Sequence, residues 1–346
     1  MERSIVCCIN IRGIYKMLSK NERVYLFDNL KCLLILLVVI GHFVAEYMQE
    51  SNGFKSIWVF IYLFHMPFFI FISGYFHTNK NILCKICYYF SLGFLLKCLF
   101  FSLDSFLGNH PAFYLLSEKS LPWFMFALGA FIGLTFFLRN FDCRFIFILS
   151  LILGCYIGYD KSLGKDFLLL PRICVFYPFY IAGTIARQYD LIRQLLFNRS
   201  LTKKICSYGI LCFWGITCFF FLEYVLQVWG LFSGRNAFAS SFYYYGALVR
   251  LMYYFFVGII IISFVYVIPN RKILLITSVG ESTLSIYFWH VMFLKVFIFF
   301  NILFLCTTNL GKVIYILLSI LLTIFLSHKI FSFPCNNIKQ ICFKGK

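Results

Sequence analysis

Long hydrophobic runs alternate with short polar stretches along almost the whole chain. A helix needs about 20 apolar residues to cross the hydrocarbon core of a bilayer, and ten of these runs approach that length. We predict spans at 30–47, 57–76, 83–103, 121–138, 144–159, 167–187, 205–230, 242–268, 283–304 and 312–331. The pattern therefore predicts an all-α integral membrane protein, a polytopic bundle of about ten transmembrane helices.

The short loops between these spans predict the orientation of the chain. Most of the 31 Lys and Arg residues fall in alternate segments on the side of the N-terminus. The loops of the other side hold only Lys55, Lys119, Lys161, Lys165 and Arg235. Because cytoplasmic loops carry an excess of Lys and Arg, both termini are predicted to be cytoplasmic. Residues 1–29 then form a basic N-terminal segment, 30–331 the membrane domain and 332–346 a basic tail.

The composition is typical of a membrane protein and gives no indication of nucleic-acid or metal binding. The chain is 62% hydrophobic and only 13% charged, whereas a soluble domain carries about 25% charged residues. The net charge of +18 is spread over many short loops, so nucleic-acid binding is not predicted. Most of the 15 cysteines lie inside hydrophobic runs, where a thiol acts as a small apolar group. The Cys84–Cys87 pair has no second pair, so no metal site is predicted.

The first predicted span carries two polar residues on one face. Lys31 lies at its start and His42 lies deep inside it. Eleven residues at about 100° each bring both side chains to the same side, about 16 Å apart along the helix axis. This spacing indicates a charged ligand at the membrane surface and chemistry in the interior. Glu46, one turn beyond His42, either orients the imidazole or lies solvated in the outer loop.

Four further ionisable side chains lie at related depths in the predicted spans: His65, Arg172, Arg250 and His290. Lys97 and Lys295 also lie within spans but have no motif around them. A charged side chain at the bilayer centre costs about 2.5–3.5 kcal/mol on insertion scales, so it needs a partner, a wet cavity or a function. Together with His42, these groups predict a polar cavity shared between helices. The alternative is structural, because a neutral histidine can donate to a backbone carbonyl and an arginine can bond helix carbonyls or extend to the interface.

Prolines and small residues in the spans predict where helices break and where they pack closely. Pro67 and Pro178 are expected to break or kink their helices and to free backbone carbonyls. Gly74 and Gly183 are expected to permit close approach of neighbouring helices. Trp123 opens the fourth span, where an interfacial aromatic belt explains it. A platform on which a sugar ring stacks is the other interpretation of Trp123.

Five short motifs occur in order along these spans. They are Asp28-x-x-Lys31 followed by His42; His65-Met66-Pro67 followed by Ser73-Gly74; Trp123-Phe124; Arg172, Phe176, Pro178, Phe179 and Gly183; and Gly280, Thr283, Leu284, Ile286, Tyr287 and His290. In these motifs the sequence resembles the membrane acyltransferase 3 family, particularly its fucose 4-O-acetylase-like branch. Lys31 departs from the arginine that much of the family has at this position. Lysine keeps the charge but loses bidentate recognition of phosphate.

The resemblance implies an acyl-CoA-dependent O-acetyltransferase, which moves an acetyl group from cytoplasmic acetyl-CoA to a carbohydrate hydroxyl. The expected catalytic residues are His42 and Lys31, with His42 as the general base. Transfer of the acetyl group through His42 itself is the less favoured variant. The resemblance and the local charges together predict residues that bind the donor: Lys31, Asp28, Arg23, Arg271 and Lys272. The residues expected to hold the acceptor or stabilise the oxyanion are His65, Arg172, Trp123, Tyr287 and His290.

The implied setting is the cytoplasmic membrane of a cell, with a cell-surface polysaccharide or its lipid-linked precursor as the carbohydrate acceptor. Acetyl-CoA is the expected co-substrate, and neither a metal nor nucleic acid is expected. Polysaccharide-assembly proteins or a second copy of the chain are the partners considered besides the bilayer. A transporter or flippase for a glycan or small polar solute is the alternative class, although no inverted repeat is found. A catalytically silent membrane protein would leave the intramembrane ionisable residues unexplained.

Overall fold

The computed structural model describes residues 24–114, 120–161 and 168–343, except for the side chains of 303–305. Within these ranges the chain forms helices and no strand. Arg23 and most of the predicted N-terminal segment lie outside the described residues. The α-helices are α1 (Leu26–Ala45), α2 (Asn52–Tyr62), α3 (His65–Tyr75), α4 (Ile82–Phe106), α5 (Trp123–Phe137), α6 (Cys143–Tyr156), α7 (Leu170–Gln188), α8 (Leu191–Phe197), α9 (Leu201–Phe220), α10 (Leu222–Val228), α11 (Gly246–Val267), α12 (Leu274–Glu281), α13 (Thr283–Phe299), α14 (Asn309–Leu326) and α15 (Cys335–Phe343).

Several of these helices are long and apolar enough to cross a membrane. Five stretches of the described chain meet that condition, and two bent helix pairs raise the number to seven. The apolar helices α5 and α6 have 15 and 14 residues, about 22 Å of rise, so each is shorter than a bilayer core of about 30 Å. The all-helical membrane fold is confirmed. The count of ten spans and the cytoplasmic position of the termini stay predictions.

The chain bends sharply inside the seventh predicted span and again just before the ninth. α9 meets the continuing segment Leu222–Leu231 at a bend of 96°. A straight helix over 205–230 would rise about 39 Å, more than the hydrocarbon core is thick, and the bend removes this mismatch. α12 and α13 meet at a bend of 78°. The last helix of this pair ends at Phe299, before the predicted limit of 304.

The first predicted span forms α1, an unbroken helix of 20 residues. Its run of Leu, Ile and Val contains no proline or mid-helix charge, so nothing interrupts the backbone hydrogen bonds. α1 packs against α2, α3, α12, α13 and α14. Most of its apolar side chains are buried in these contacts, including Leu30, Leu34 and Val39. Lys31 and His42 are therefore held on one rigid element among several neighbouring helices.

The second predicted span breaks between α2 and α3, as the proline predicts. Pro67 has no N–H with which to bond the carbonyl four residues earlier, at Leu63. The Tyr253 hydroxyl donates to that carbonyl instead, at 3.3 Å. His65 Nδ1 satisfies a second carbonyl at the break, that of Ile61, at 2.9 Å. Pro178, by contrast, lies inside α7 and does not interrupt it.

Two glycines allow α3 and α7 to cross in backbone contact, as the small residues predict. A Cβ on Gly74 would lie 1.9 Å from the Tyr180 carbonyl oxygen. A Cβ on Gly183 would lie 2.0 Å from the Phe71 carbonyl oxygen and 2.6 Å from the Tyr75 nitrogen. Only glycine fits at such distances, because the neighbouring atoms belong to backbone rather than to movable side chains. This crossing fixes α3 and α7 relative to each other.

Candidate active site

A cavity of about 200 Å³ lies beside the C-terminal half of α1. Five residues singled out in the sequence line it: His42, His65, Trp123, Arg172 and Tyr287. They come from α1, α3, α5, α7 and α13, so the fold gathers side chains from distant parts of the chain. Of the five ionisable residues predicted to share a polar cavity, His42, His65 and Arg172 line this space, called the His42 cavity below, whereas Arg250 lines another cavity and His290 lies beside His42.

Three imidazoles lie near one another at this cavity. The ring centroid of His42 lies 5.2 Å from that of His290 and 6.3 Å from that of Tyr62. Tyr62 in turn lies 4.9 Å from His65. His65 and His290 are buried, whereas His42 keeps partial exposure. His42 is therefore the most exposed of the three imidazoles, and both it and His65 line the cavity.

The two buried histidines are anchored to their own helices. His65 Nδ1 lies 2.9 Å from the Ile61 carbonyl oxygen, and His290 Nδ1 lies 3.0 Å from that of Ile286. Because a carbonyl oxygen only accepts, each Nδ1 carries the proton and each Nε2 of a neutral ring is an acceptor. Nε2 of His290 has no hydrogen-bond partner in the described structure. His290 thus presents an acceptor beside His42 and, while neutral, has no donor at Nε2 for an oxyanion.

Arg172 and Trp123 form another wall of the His42 cavity. Cζ of Arg172 lies 4.6 Å from the centroid of the indole ring, within the range of a cation–π interaction. Phe176 stacks on the same indole at 5.5 Å. Trp123 therefore supports the guanidinium, and both readings of this residue from sequence stay untested. Among the described residues, Arg172 is the one Lys or Arg that lines this cavity.

Tyr287 joins two parts of the cavity wall. Its hydroxyl donates to the Leu121 carbonyl at 2.5 Å, which ties α13 to the segment just before α5. Its ring lies 5.3 Å from that of Phe124 and 5.9 Å from that of His290. Tyr287 thus fixes α13 relative to the start of α5 at the wall of the cavity.

A second cavity, of about 380 Å³, lies at the other end of α1 and contains Lys31. Lys85 of α4 and Lys339 of α15 also line this space, called the Lys31 cavity below. The Lys85 ammonium donates to the carbonyl and hydroxyl oxygens of Thr78, at 2.7 and 2.6 Å. Neither Lys85 nor Lys339 was singled out in the sequence. Both do fall in basic segments that the loop charges assign to the same side as Lys31.

Asp28, Arg271 and Lys272, which were also predicted to bind the donor, lie around the same end of α1, whereas Arg23 lies outside the described residues. Asp28 forms an ion pair with Lys31, with 2.8 Å between Oδ1 and Nζ. The Asn29 side chain donates to the carbonyls of Pro269 and Arg271, both at 2.9 Å, and so holds that loop against α1. The side chains of Arg271 and Lys272 are exposed and do not line the Lys31 cavity.

The two cavities follow one another along the same helices. α1 contributes Lys31 to one and His42 to the other, and the 11 intervening residues correspond to about 16 Å of helix. α13 contributes Leu284 to the first and Tyr287, about one turn later, to the second. α3 also lines both spaces. A cationic site and an imidazole site therefore lie one after the other along α1, α3 and α13.

Comparison with known proteins identifies the family to which the chain belongs. The family model of the acyltransferase 3 family, described as an acyltransferase domain, matches residues 24–328. A stretch of 70 residues is 39% identical to the nodulation protein NolL of Sinorhizobium fredii (strain NBRC 101917 / NGR234), and it covers 19% of each chain. No solved structure matches the chain. The family model covers most of the sequence, and the chain, with helices long and apolar enough to cross a membrane, belongs to the acyltransferase 3 family.

Proposed function

We propose that the chain is an O-acetyltransferase of the cytoplasmic membrane that moves an acetyl group from cytoplasmic acetyl-CoA to a carbohydrate hydroxyl. The acceptor is a cell-surface polysaccharide or its lipid-linked precursor. The observation that carries this proposal is the placement of Lys31 and His42 in two successive cavities along one unbroken helix. The first cavity suits the charged end of the donor, and the second suits the reaction.

The Lys31 cavity has the charge that a phosphate-bearing donor needs. Lys31, Lys85 and Lys339 line it, and each ammonium offers up to three N–H donors to phosphate oxygens. Lys31 is already oriented by Asp28, so little side-chain freedom is lost when a ligand binds. Lysine binds phosphate as a point charge rather than through a fork. Three lysines from α1, α4 and α15 compensate for the arginine that is missing at position 31.

The separation of the two cavities along α1 suits the rest of the donor. Acetyl-CoA carries its phosphates at one end and its reactive thioester at the end of an extended pantetheine arm. The separation of about 16 Å between Lys31 and His42 along α1 is comparable with the length of that arm. A donor held by the lysines can therefore present its acetyl group to the His42 cavity.

His42 has the exposure and the surroundings of a general base. In the proposed step His42 takes the proton of the attacking hydroxyl, a new C–O bond forms at the acetyl carbonyl, and the C–S bond breaks. The proton then passes from His42 to the departing thiolate, so charge and atoms balance. Such proton transfer typically contributes about 10²–10⁴-fold to the rate. Formation of an acetyl-His42 intermediate is the second route considered.

Arg172 and His290 have supporting roles in this proposal. The Arg172 guanidinium lines the cavity from the Trp123 side and can stabilise the developing oxyanion or hold the acceptor. His290 acts as a positioning residue, because its unpartnered Nε2 can accept a hydrogen bond from one nitrogen of His42. That bond would fix the tautomer in which the other nitrogen of His42 faces the hydroxyl.

Charge reversal at Lys31 tests the donor site. Lys31→Glu is expected to raise the KM for acetyl-CoA about tenfold or more, because it replaces an attraction for phosphate by a repulsion. Lys31→Arg is expected to preserve or lower this KM. Lys339→Glu should act in the same direction as Lys31→Glu. Initial rates of CoA release at varied acetyl-CoA concentration measure all three.

The exposed Lys272 provides the matched control for charge. Lys272→Glu makes the same change of charge outside the Lys31 cavity, and screening by solvent limits its expected effect to about threefold. An equal rise in KM for Lys272→Glu and Lys31→Glu would place the donor on the loop surface. The cavity assignment would then be wrong.

Purified protein incubated with acetyl-labelled acetyl-CoA and a panel of glycans tests the function itself. We expect label to appear on a glycan in proportion to the CoA released. Movement of glycan across a sealed vesicle without transfer of label would favour a transporter. Neither transfer nor movement with any glycan of the panel would favour a silent membrane protein.

A further inference from the structure

A third cavity, of about 180 Å³, lies next to the His42 cavity and has no role in the proposed reaction. This space, called the Arg250 cavity below, is lined by the buried Arg250 of α11 and by the loop residues Asp160, Lys161 and Arg235. The loop charges assign these loops to the outer side of the membrane. Three cations and one carboxylate thus surround a space large enough for about six water molecules at the density of the liquid.

Arg250 is the unusual member of this set. It is fully buried, and its Nη1 donates to the Leu231 carbonyl at 2.9 Å. Its Nε and Nη2 have no hydrogen-bond partner, and it forms no ion pair within the described residues. A buried guanidinium with two nitrogens that lack an acceptor is costly in a protein interior, most of all at membrane depth. The arrangement therefore favours an anion as the missing partner.

The unused nitrogens of Arg250 indicate the shape of that anion. Nε and Nη2 point along the same edge of the guanidinium, and this edge pairs with two oxygens of one carboxylate or phosphate group. The centroid of the Phe238 ring lies 5.5 Å from Cζ, within the range of a cation–π interaction. Phe238 is itself held tightly, since a Cβ on Gly158 or Gly246 would lie 2.6 or 2.1 Å from its ring. Arg250 is thus fixed in one orientation.

The Arg250 cavity borders the site of the proposed reaction. Pro171 lines the Arg250 cavity, and the next residue, Arg172, lines the His42 cavity. In the same way, Val175 of α7 lines the Arg250 cavity and the next residue, Phe176, lines the His42 cavity. On the facing loop, Gly234 lines the Arg250 cavity and Ser233 lines the His42 cavity. Gly234 has φ of +62°, and a Cβ there would lie 2.9 Å from the Phe176 ring. The partition between the two cavities is therefore only a residue or two thick.

We infer that the Arg250 cavity binds an anionic group of the acceptor glycan, a carboxylate or a phosphate, while a nearby hydroxyl of the same glycan lies in the His42 cavity. This inference rests on the proposed function and narrows it to acidic acceptors. Arg250 is the specificity-determining contact, and Lys161 and Arg235 add attraction at the entrance. Neutral glycans then lack the group that this subsite recognises.

Three methyl galactosides that differ only at C6 test the inference: the neutral sugar, the galacturonate and the 6-phosphate. Equilibrium binding of each to the full-length protein in uncharged nanodiscs, without donor, gives the preference directly. We expect at least one anionic sugar to bind about tenfold or more tightly than the neutral one. Comparison of the galacturonate with the 6-phosphate shows whether the guanidinium prefers a carboxylate or a phosphate group.

Arg250→Gln is expected to remove this preference and to leave binding of the neutral sugar unchanged. Arg250→Lys should retain part of the preference, since lysine keeps the positive charge but lacks the paired N–H donors of the guanidinium. Arg139→Gln is the matched control, because Arg139 is exposed and lines neither cavity. If Arg250→Gln does not reach the membrane, Lys161→Gln replaces it, with about threefold weaker binding of the anionic sugar expected.

Several results would overturn the inference. These are equal binding of all three sugars to the unaltered protein, equal weakening of all three by Arg250→Gln, and a preference that survives both Arg250→Gln and Lys161→Gln. The same sugars are then offered with labelled acetyl-CoA. Selective binding of an anionic sugar without any acetyl transfer contradicts the proposed function and leaves the anion site in place. Transfer to neutral and anionic sugars at equal kcat/KM supports the function and contradicts the subsite.

Discussion

Replacement of His42 by alanine is expected to lower acetyl transfer by about 10²–10⁴-fold, the usual contribution of a general base. The reason is geometric, because His42 is the partly exposed imidazole beside the buried His65 and His290. Alanine is a good helix former, so α1 and the amount of protein in the membrane should not change. Label transferred from acetyl-CoA to glycan, divided by protein abundance in the membrane, measures the effect.

His110→Ala serves as the control for this prediction. His110 is exposed and lies in the loop after α4, so its removal should leave the rate of transfer unchanged. His290→Gln should cause an intermediate loss and alter the pH profile of kcat, because it changes the partner of His42 without removing the base. Activity of His42→Ala close to that of the unaltered protein would remove His42 from the mechanism.

Replacement of Gly183 by alanine is expected to destabilise the protein by about 1–3 kcal/mol or more, as overpacking of a well-packed interior does. The added Cβ would lie 2.0 Å from the Phe71 carbonyl oxygen, so α3 and α7 must separate. These helices carry His65 and Arg172, and activity should therefore fall together with stability. A thermal unfolding curve of the detergent-purified protein measures the fall in Tm.

Gly209→Ala in α9 makes the same substitution in open space, with no atom within 4 Å of the added Cβ. Helix propensity favours alanine over glycine by about 1 kcal/mol, so Tm should stay constant or rise slightly. Gly74→Ala, on the other side of the crossing, should resemble Gly183→Ala. Equal Tm values for Gly183→Ala and Gly209→Ala would contradict the close approach of α3 and α7.

The hydrophobic pattern predicts much of this fold because each span is a local property of the sequence. The break before Pro67 and the crossing at Gly74 and Gly183 follow from residue types whose backbone effects are known. The bends of 96° and 78° were not predictable in the same way. No proline marks the bend at Phe221, and the limit on a straight helix there comes from bilayer thickness rather than from local pattern.

The His42 cavity was predictable to the extent that ionisable residues are rare in membrane helices. His42, His65 and Arg172 attract attention in the sequence because each is costly in a bilayer. Lys85 and Lys339 give no such signal, since lysines at the ends of spans usually set orientation. Their position beside Lys31 emerges only when folding brings α4 and α15 next to α1. The burial of Arg250 beside a separate cavity is likewise a tertiary property.

In the proposed reaction a single donor molecule extends from the Lys31 cavity to the His42 cavity. A cryo-electron microscopy structure of the full-length protein with a non-transferable thioether analogue of acetyl-CoA would show where the donor lies. We expect phosphates within hydrogen-bonding distance of Lys31 and Lys339, and the carbonyl carbon of the analogue in the His42 cavity. Phosphates bound at another surface, or a carbonyl group that ends outside the His42 cavity, would overturn this position of the donor.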